Sequence, residues 1–357
     1  MKDTQKDSRD NRTSAKELES VVSQIQDVQK CSPETALLIL AQGMALSWEA
    51  RREGEQGDMT PRLLTRLLEK AEFSEYDFLF ERADEGLPRI WLTPTLNRQL
   101  NKMGSLFADS MQFAPVFETI VSVIGRSCVD LSSADEVILS SMCRLLRLDP
   151  NDSVVVAAAD LGDCLMAFLR NYPQHSCQAF TWTPVSRQIA KFRLVLGGSG
   201  ANVSLAGGFL SRDVRKVGQR DAVCLLPRWG GCVADASPDV HSIGSGWMSS
   251  EIRSVVRALE YLKPNGKLVA LLPERLLDRS EFQPFKEYML RTTDLGALVS
   301  VPVEMTSRRW RSNPCCLVAV RKKAVPAADF EQSALSFTVE GRTEDSFREM
   351  EDAVGAW

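Results

Sequence analysis

The spacing of apolar residues changes character near Pro150, and that change limits the fold more than any other feature of the chain. Before it the period is helical. Leu18, Val21, Val22, Ile25 and Val28 recur at one-turn intervals from Ala15 onward, as on the buried stripe of an amphipathic helix. Ser32-Pro33 opens a second helix, with Ser32 as N-cap and Pro33 in the first turn. It carries Leu37, Leu38, Leu40, Met44 and Leu46. Gly54 to Asp58 is a polar break, and Thr60-Pro61 opens a third helix through Leu63, Leu64, Leu67 and Leu68. Helical patterns return at 113–125 and 134–147.

After Pro150 short apolar runs alternate with helical ones. Strands are expected at 154–156, 179–181, 203–205, 222–226, 267–272, 297–301 and 316–320. Helices are expected between them at 165–170, 186–196, 252–262 and 282–291. Such alternation predicts a mostly parallel sheet covered on both faces. Two strands in close succession at the end, joined only by a loop, predict one antiparallel pair. The domain organisation follows: a flexible tail at 1–14, a helical domain at 15–130, an α/β domain at 131–325, and a polar extension at 326–357 that the pattern leaves unassigned.

Composition removes several classes of function. At 44% hydrophobic and 25% charged residues the chain is an ordinary globular one, neither disordered nor fibrous. The 43 basic and 47 acidic residues give a formal charge of -4, so nucleic-acid contact would have to come from a local patch or a partner. The 9 cysteines form no CxxC pair and mostly sit in apolar runs, reading as buried free thiols of a reducing compartment. His175 and His241 are too few for a histidine metal site, and no metal is expected. The first residues lack an apolar signal region, and no apolar run could span a bilayer. A soluble, cytoplasmic protein without membrane partners is the expectation.

The order of elements resembles the S-adenosylmethionine-dependent methyltransferase fold and, in detail, the adenine-specific DNA methylase family, the modification subunits of type I restriction systems. Ile252 to Gly266 followed by Lys267-Leu-Val-Ala-Leu-Leu-Pro273 is similar to that family's helix, LLKPGG, strand, LP unit. Phe285 to Leu290 with Leu298-Val-Ser-Val-Pro302, and Leu317 to Lys323, match its last two strands. The resemblance runs from about Ser132 to Lys323. It implies a Rossmann-like methyltransferase sheet, mostly parallel with one antiparallel strand, behind an N-terminal helical domain.

The resemblance also names ligand positions, at the C-terminal ends of the first four strands. The family's cofactor loop is DPxxGxG. Aligned without gaps from Asp152-Ser153, its acid is Val156 and its first glycine is Asp160, and only Gly162 remains. A register starting at Asp160 restores an acid and Gly162 but sets Cys164 where the second glycine belongs. The acid that holds the ribose hydroxyls falls on Thr181, ahead of a retained Pro184. A hydroxyl cannot replace a carboxylate's two charge-assisted acceptors. The acid after the third strand falls on Gly208. The family's NPPF loop, which polarises the target amino group and stacks on the flipped base, reads Leu226-Pro227-Arg228-Trp229. Leu226 has no acceptor to offer.

Other constellations carry less. Trp229, flanked by Arg228 and two glycines, is either a base-stacking platform with a phosphate contact or a plug in an empty cleft, and the missing polar partner favours the plug. Arg308-Arg309-Trp310-Arg311 is a basic loop with an interleaved aromatic, suited to nucleic acid or a protein partner; its bland reading is a solvated loop. Arg212, Arg215, Lys216 and Arg220 read as a solvated connection. A winged helix-turn-helix at 33–70 with Arg89 to Thr93 has no spacing that requires it.

Departures at every ligand position on a retained scaffold imply a catalytically inactive, methyltransferase-like binding or scaffolding subunit of a DNA-modification or defence system. It would need no cofactor, and DNA or a protein subunit of the same system would be its partner. The rivals are an active adenine-specific DNA methyltransferase with an atypical NPPF motif, using S-adenosylmethionine, and a regulatory protein binding another nucleotide through Asp160 and Asp163.

Overall fold

The computed structural model describes residues 2–52, 79, 103, 107, 110–127, 134–157, 161–211, 214, 218–230, 232–234, 247–306, 314–327, 332–339 and 343–354. The third helix expected at 60–68 and the segment 89–93 lie outside these residues. Contacts divide the chain into two compact units, Met1–Ile124 with Pro184–Gly200, and Gly125–Thr183 with Ala201–Trp357.

The first unit is helical. Helix α1 spans Lys2–Gln29, α2 Pro33–Arg52 and α3 Ser110–Ser127. The backbone of α1 is helical from Lys2, earlier than the apolar stripe begins, so residues 2–14 join a helix where the sequence suggests a tail. Leu18, Val21, Val22 and Ile25 are buried as the stripe requires, whereas Val28, its last member near the end of the helix, is exposed. Ser32 caps α2 by accepting the Thr35 N–H at 3.2 Å. Helix α6, Pro184–Leu196, belongs to this unit although the sequence places it in the α/β domain. Its buried Arg193 donates to Glu118 of α3, with Nε to Oε1 at 2.8 Å, and Phe192 meets Phe117 edge-on at 5.2 Å. Ser186 donates to Glu34 of α2. These anchors explain the grouping: α6 turns its charged and aromatic face to the helices.

The second unit is built on an eight-stranded sheet, and helices flank it. Its strands are β1 Val154–Ala157, β2 Cys177–Thr181, β3 Val203–Gly207, β4 Arg220–Leu225, β7 Leu262–Pro273, β8 Thr293–Val301, β9 Cys315–Lys322 and β10 Leu335–Thr338, in the order β10-β8-β9-β7-β4-β1-β2-β3. A separate two-stranded sheet pairs β5, Cys232–Ala234, with β6, Trp247–Ser249. The helices are α4 Glu136–Leu145, α5 Asp163–Asn171, α7 Ser250–Tyr261, α8 Gln283–Thr292 and α9 Glu344–Val354. Among the described strands of the large sheet, β9 alone runs against its neighbours, pairing antiparallel with both β7 and β8, while β5 and β6 pair antiparallel with each other. This is the fold class the spacing predicts.

Alternation along the strands assigns the faces. Val155, Ala157, Phe180, Val223 and Leu225 join α7 and Phe285 of α8 in one core layer. Val156 and Cys224, paired in register, therefore point to the opposite face. The extension past 326 is part of this unit. β10 adds a parallel strand beside β8. On α9, Phe347, Met350 and Val354 are buried, and Glu351 receives Arg144 of α4 in a fork at 2.7 and 2.8 Å.

At the N-terminal ends of β1 and β4 a polar pin closes the sheet. Asp221 accepts the Ser153 N–H at 2.9 Å and its hydroxyl at 2.6 Å, and Lys263 reaches both carboxylate oxygens at 2.8 and 2.9 Å. Burial pushes this carboxyl up, but the bonds from Lys263 and Ser153 outweigh it and hold the group down at about 2. The register of β7 against β4 shifts over Lys263 to Gly266, and this irregularity needs its glycine: a Cβ on Gly266 would stand 2.9 Å from the Lys263 carbonyl and 3.0 Å from that of Asp221. Among the described residues no helix is long and apolar enough to cross a membrane.

Candidate functional site

The described positions that the resemblance assigns to ligands lie at the other end of the sheet, at or just past the C-terminal ends of β1 to β4. All of β1 is buried, including Val156 at 0% exposure. Residues 158–160, and with them Asp160, lie outside the described residues, as does the loop Arg308 to Arg311. Gly162 precedes α5 with φ 91°, a left-handed conformation that glycine adopts without strain, and no side chain caps the helix there. Asp163 follows in the first turn.

At the end of β2, Thr181 is also 0% exposed, and its hydroxyl donates to the Thr183 carbonyl at 3.4 Å. Pro184 then opens α6. After β3, Gly208 has φ +75° and starts a turn closed by the Ser211 N–H on its carbonyl at 3.1 Å. A Cβ there would lie 2.7 Å from the Ser211 hydroxyl. A residue with a side chain would be strained at this φ and would have to displace the Ser211 hydroxyl.

The end of β4 is the most elaborated part. The Leu226 N–H extends the sheet to the Ala157 carbonyl at 3.2 Å, and its side chain is 1% exposed. Trp229 is 4% exposed. Helix α7 holds the backbone on both sides of that tryptophan. Its N-cap Ser249 accepts the Ile252 N–H at 3.3 Å. Ser250 donates its hydroxyl to the Arg228 carbonyl at 2.6 Å. Glu251 accepts the Gly230 N–H at 3.0 Å and Arg275 Nη2 at 3.1 Å, and its side chain is wholly buried. Arg275 stands just after β7.

Behind the site lies a cluster of thiols. Cys164 in the first turn of α5 approaches Cys224 of β4 with the sulfurs 3.5 Å apart, and Cys143 of α4 adjoins Cys224. The contact with Cys224 and burial together push the Cys164 thiol well above its usual range, while burial, helped by the neighbouring Cys164, takes Cys177 up to about 12. Thiols so held are poor nucleophiles. They stand as the free, buried cysteines that the sequence suggests. Among the described residues no group of three His, Cys, Asp or Glu is placed to hold a metal ion.

No protein-family model matches the chain, and no curated protein matches its sequence. Solved structures do match. The methyltransferase subunit of a type I restriction-modification system from Streptococcus thermophilus superposes with a TM-score of 0.67 at 13% identity, over 95% of this chain and 78% of that one. The chain has the S-adenosylmethionine-dependent methyltransferase fold. A modification subunit of a candidate type I restriction enzyme from Vibrio vulnificus gives 0.63 at 14% identity, over 96% and 90%. A candidate class I methyltransferase from Listeria monocytogenes gives 0.61 at 10% identity, over 97% and 99%.

The methyltransferase fold implies S-adenosylmethionine, and the described residues do not fit it. At the positions that the resemblance assigns, Thr181 offers one buried hydroxyl already turned to Thr183, Gly208 starts a tight turn, and Val156 of β1 is buried. The resemblance assigned these positions, and sequence reasoning named nothing of the polar group beside them. Ser249-Ser-Glu251 reads in sequence only as a helix start with an acid in its first turn. That Glu251 is buried against Arg275 and the Gly230 backbone follows from the crossing of three elements, for which no spacing rule exists.

Proposed function

We propose that this chain is a non-catalytic, methyltransferase-like binding or scaffolding subunit that acts beside DNA, or beside a DNA-acting partner, in a DNA-modification or defence system. One observation carries the reading. The side chains standing at the ligand positions of β1, β2 and β4, Val156, Thr181, Leu226 and Trp229, are all at most 4% exposed. Residues that bind a cofactor and a flipped base have to be reachable, and apolar groups sealed in a core are not. Function is separable from fold, so the methyltransferase sheet alone argues for no reaction. The likeness to a subunit of a type I restriction-modification system supports a role within an assembly.

The basic loop Arg308-Arg309-Trp310-Arg311 is the proposed contact for the partner. Guanidinium forks suit phosphate and carboxylate, and tryptophan anchors interfaces. Calorimetry with S-adenosylmethionine tests the core of the proposal. The loss of two carboxylate contacts, about 1.5–3 kcal/mol each, weakens affinity at least about a hundredfold. Micromolar binding, or methyl transfer to adenine by the purified chain, would overturn it and establish the active-enzyme reading. Replacing all four loop residues by alanine weakens association with DNA or partner protein, with a steep salt dependence if DNA is the ligand. Unchanged binding of both would remove the loop from the proposal.

A further inference from the structure

We infer that Glu251 is the positioning residue of the Pro227–Gly230 loop and that, with Ser250 and Arg275, it forms a latch keeping Trp229 buried. The inference rests on the reading of the cleft as closed and names what closes it. A fully buried carboxylate is a costly choice at the start of a helix that packs on a sheet. An apolar residue of similar volume would cover the same core without the desolvation penalty. What the carboxylate adds is its set of bonds. One oxygen accepts both the Gly230 N–H at 3.0 Å and Arg275 at 3.1 Å, and the other lies 3.4 Å from the Ser250 hydroxyl. Ser250 in turn holds the Arg228 carbonyl at 2.6 Å.

The two anchors bracket a single residue. Arg228 is fixed through its carbonyl and Gly230 through its N–H, so the backbone on each side of Trp229 is tied to one rigid helix end. Gly230 has φ 78°, the left-handed region in which a side-chain-bearing residue would be strained. Its N–H is thereby presented to Glu251. Arg275 links the same carboxylate to the segment following β7, so the latch joins the ends of two sheet strands to α7. It holds the loop in one conformation in which the indole is inside.

Hydroxyl-radical footprinting of the full chain, read residue by residue by mass spectrometry, tests the latch. Glu251→Met keeps the volume and removes the acceptor, leaving Arg275 free to turn to solvent. Oxidation of Trp229 is expected to rise at least about fivefold as the loop opens locally, while Phe180 and Tyr261 in the core beneath stay protected. Ser250→Ala removes only the Arg228 anchor and leaves the Glu251–Arg275 pair, giving a smaller rise of about twofold and an independent variant should the first fail to fold. Unchanged Trp229 oxidation in both variants overturns the latch, and so does a rise shared equally with Phe180 and Tyr261, which marks general loosening. Calorimetry of the parent chain with S-adenosylmethionine separates the two readings. Cofactor binding there strikes the closed-cleft reading through the parent protein, whereas a silent footprint strikes the latch alone.

Discussion

The two ends of strands β1 and β4 are built from opposite materials. At the N-terminal end, Asp221, Ser153 and Lys263 form a half-exposed polar pin in which the carboxylate accepts four bonds. At the C-terminal end, where open α/β sheets place their ligands, Val156, Leu226 and Trp229 are buried apolar groups. The usual arrangement puts polar chemistry at the C-terminal end and leaves the other to packing. Here the polar groups secure the framework at one end, and the other end is packed as part of the core, with the buried Glu251 bonded to the loop backbone.

The largest test of this contrast is Trp229→Ala. If the C-terminal end is core, unfolding in urea shows a loss of about 3–5 kcal/mol; a tryptophan on an open ligand platform would cost under about 1 kcal/mol. Leu226→Ala follows, with about 2–4 kcal/mol expected for a buried leucine in the same assay. Restoring the asparagine of the resembled family by Leu226→Asn destabilises as well, since it buries an amide among apolar neighbours, at about 1–3 kcal/mol. At the opposite end, Gly266→Ala forces a methyl against two carbonyl oxygens, and a loss of about 1–3 kcal/mol is expected.

The smallest expected effect is the most specific. Asp221 titrates at about 2 against its ordinary 3.8. A depressed carboxyl stabilises the fold above its unfolded value, and that contribution is lost as pH falls from about 4 toward 2. The parent chain should therefore lose stability across this window, and Asp221→Asn should flatten that part of the profile, with a modest reduction at neutral pH because Asp221 is partly solvated. The urea midpoint followed against pH measures it. An unchanged slope in the variant would mean that the pin contributes nothing and that the contrast between the two ends is one of composition alone.

Much of the second unit is legible in the residues. The runs Val154 to Val156, Lys267 to Leu272 and Cys316 to Val320 are strands because each is apolar, short and bounded by turn residues, and each forms where expected. The missed elements failed for identifiable reasons. β10 has four residues, with only Leu335 and Phe337 apolar, and becomes a strand because β8 offers it an edge. On α9 the spacing of Phe347, Met350 and Val354 is helical and readable, but its acidic surroundings mask it. Helix α6 was expected with the sheet, and the ion pair Arg193–Glu118 that groups it with the helices cannot be read from either segment by itself.

The sequence by itself determined the order and type of most of the elements and the switch from helices to an α/β sheet, because periodicity and turn chemistry act over a few neighbours. Only the tertiary structure decided whether those positions are reachable, which face each strand residue takes, and what the charged residues do. Burial and hydrogen bonding are set by elements far apart in the chain: Glu251 meets Gly230 and Arg275 across 21 and 24 residues, and Cys164 meets Cys224 across 60. A carboxylate on a helix reads the same in sequence whether water or a latch receives it, and only packing separates the two.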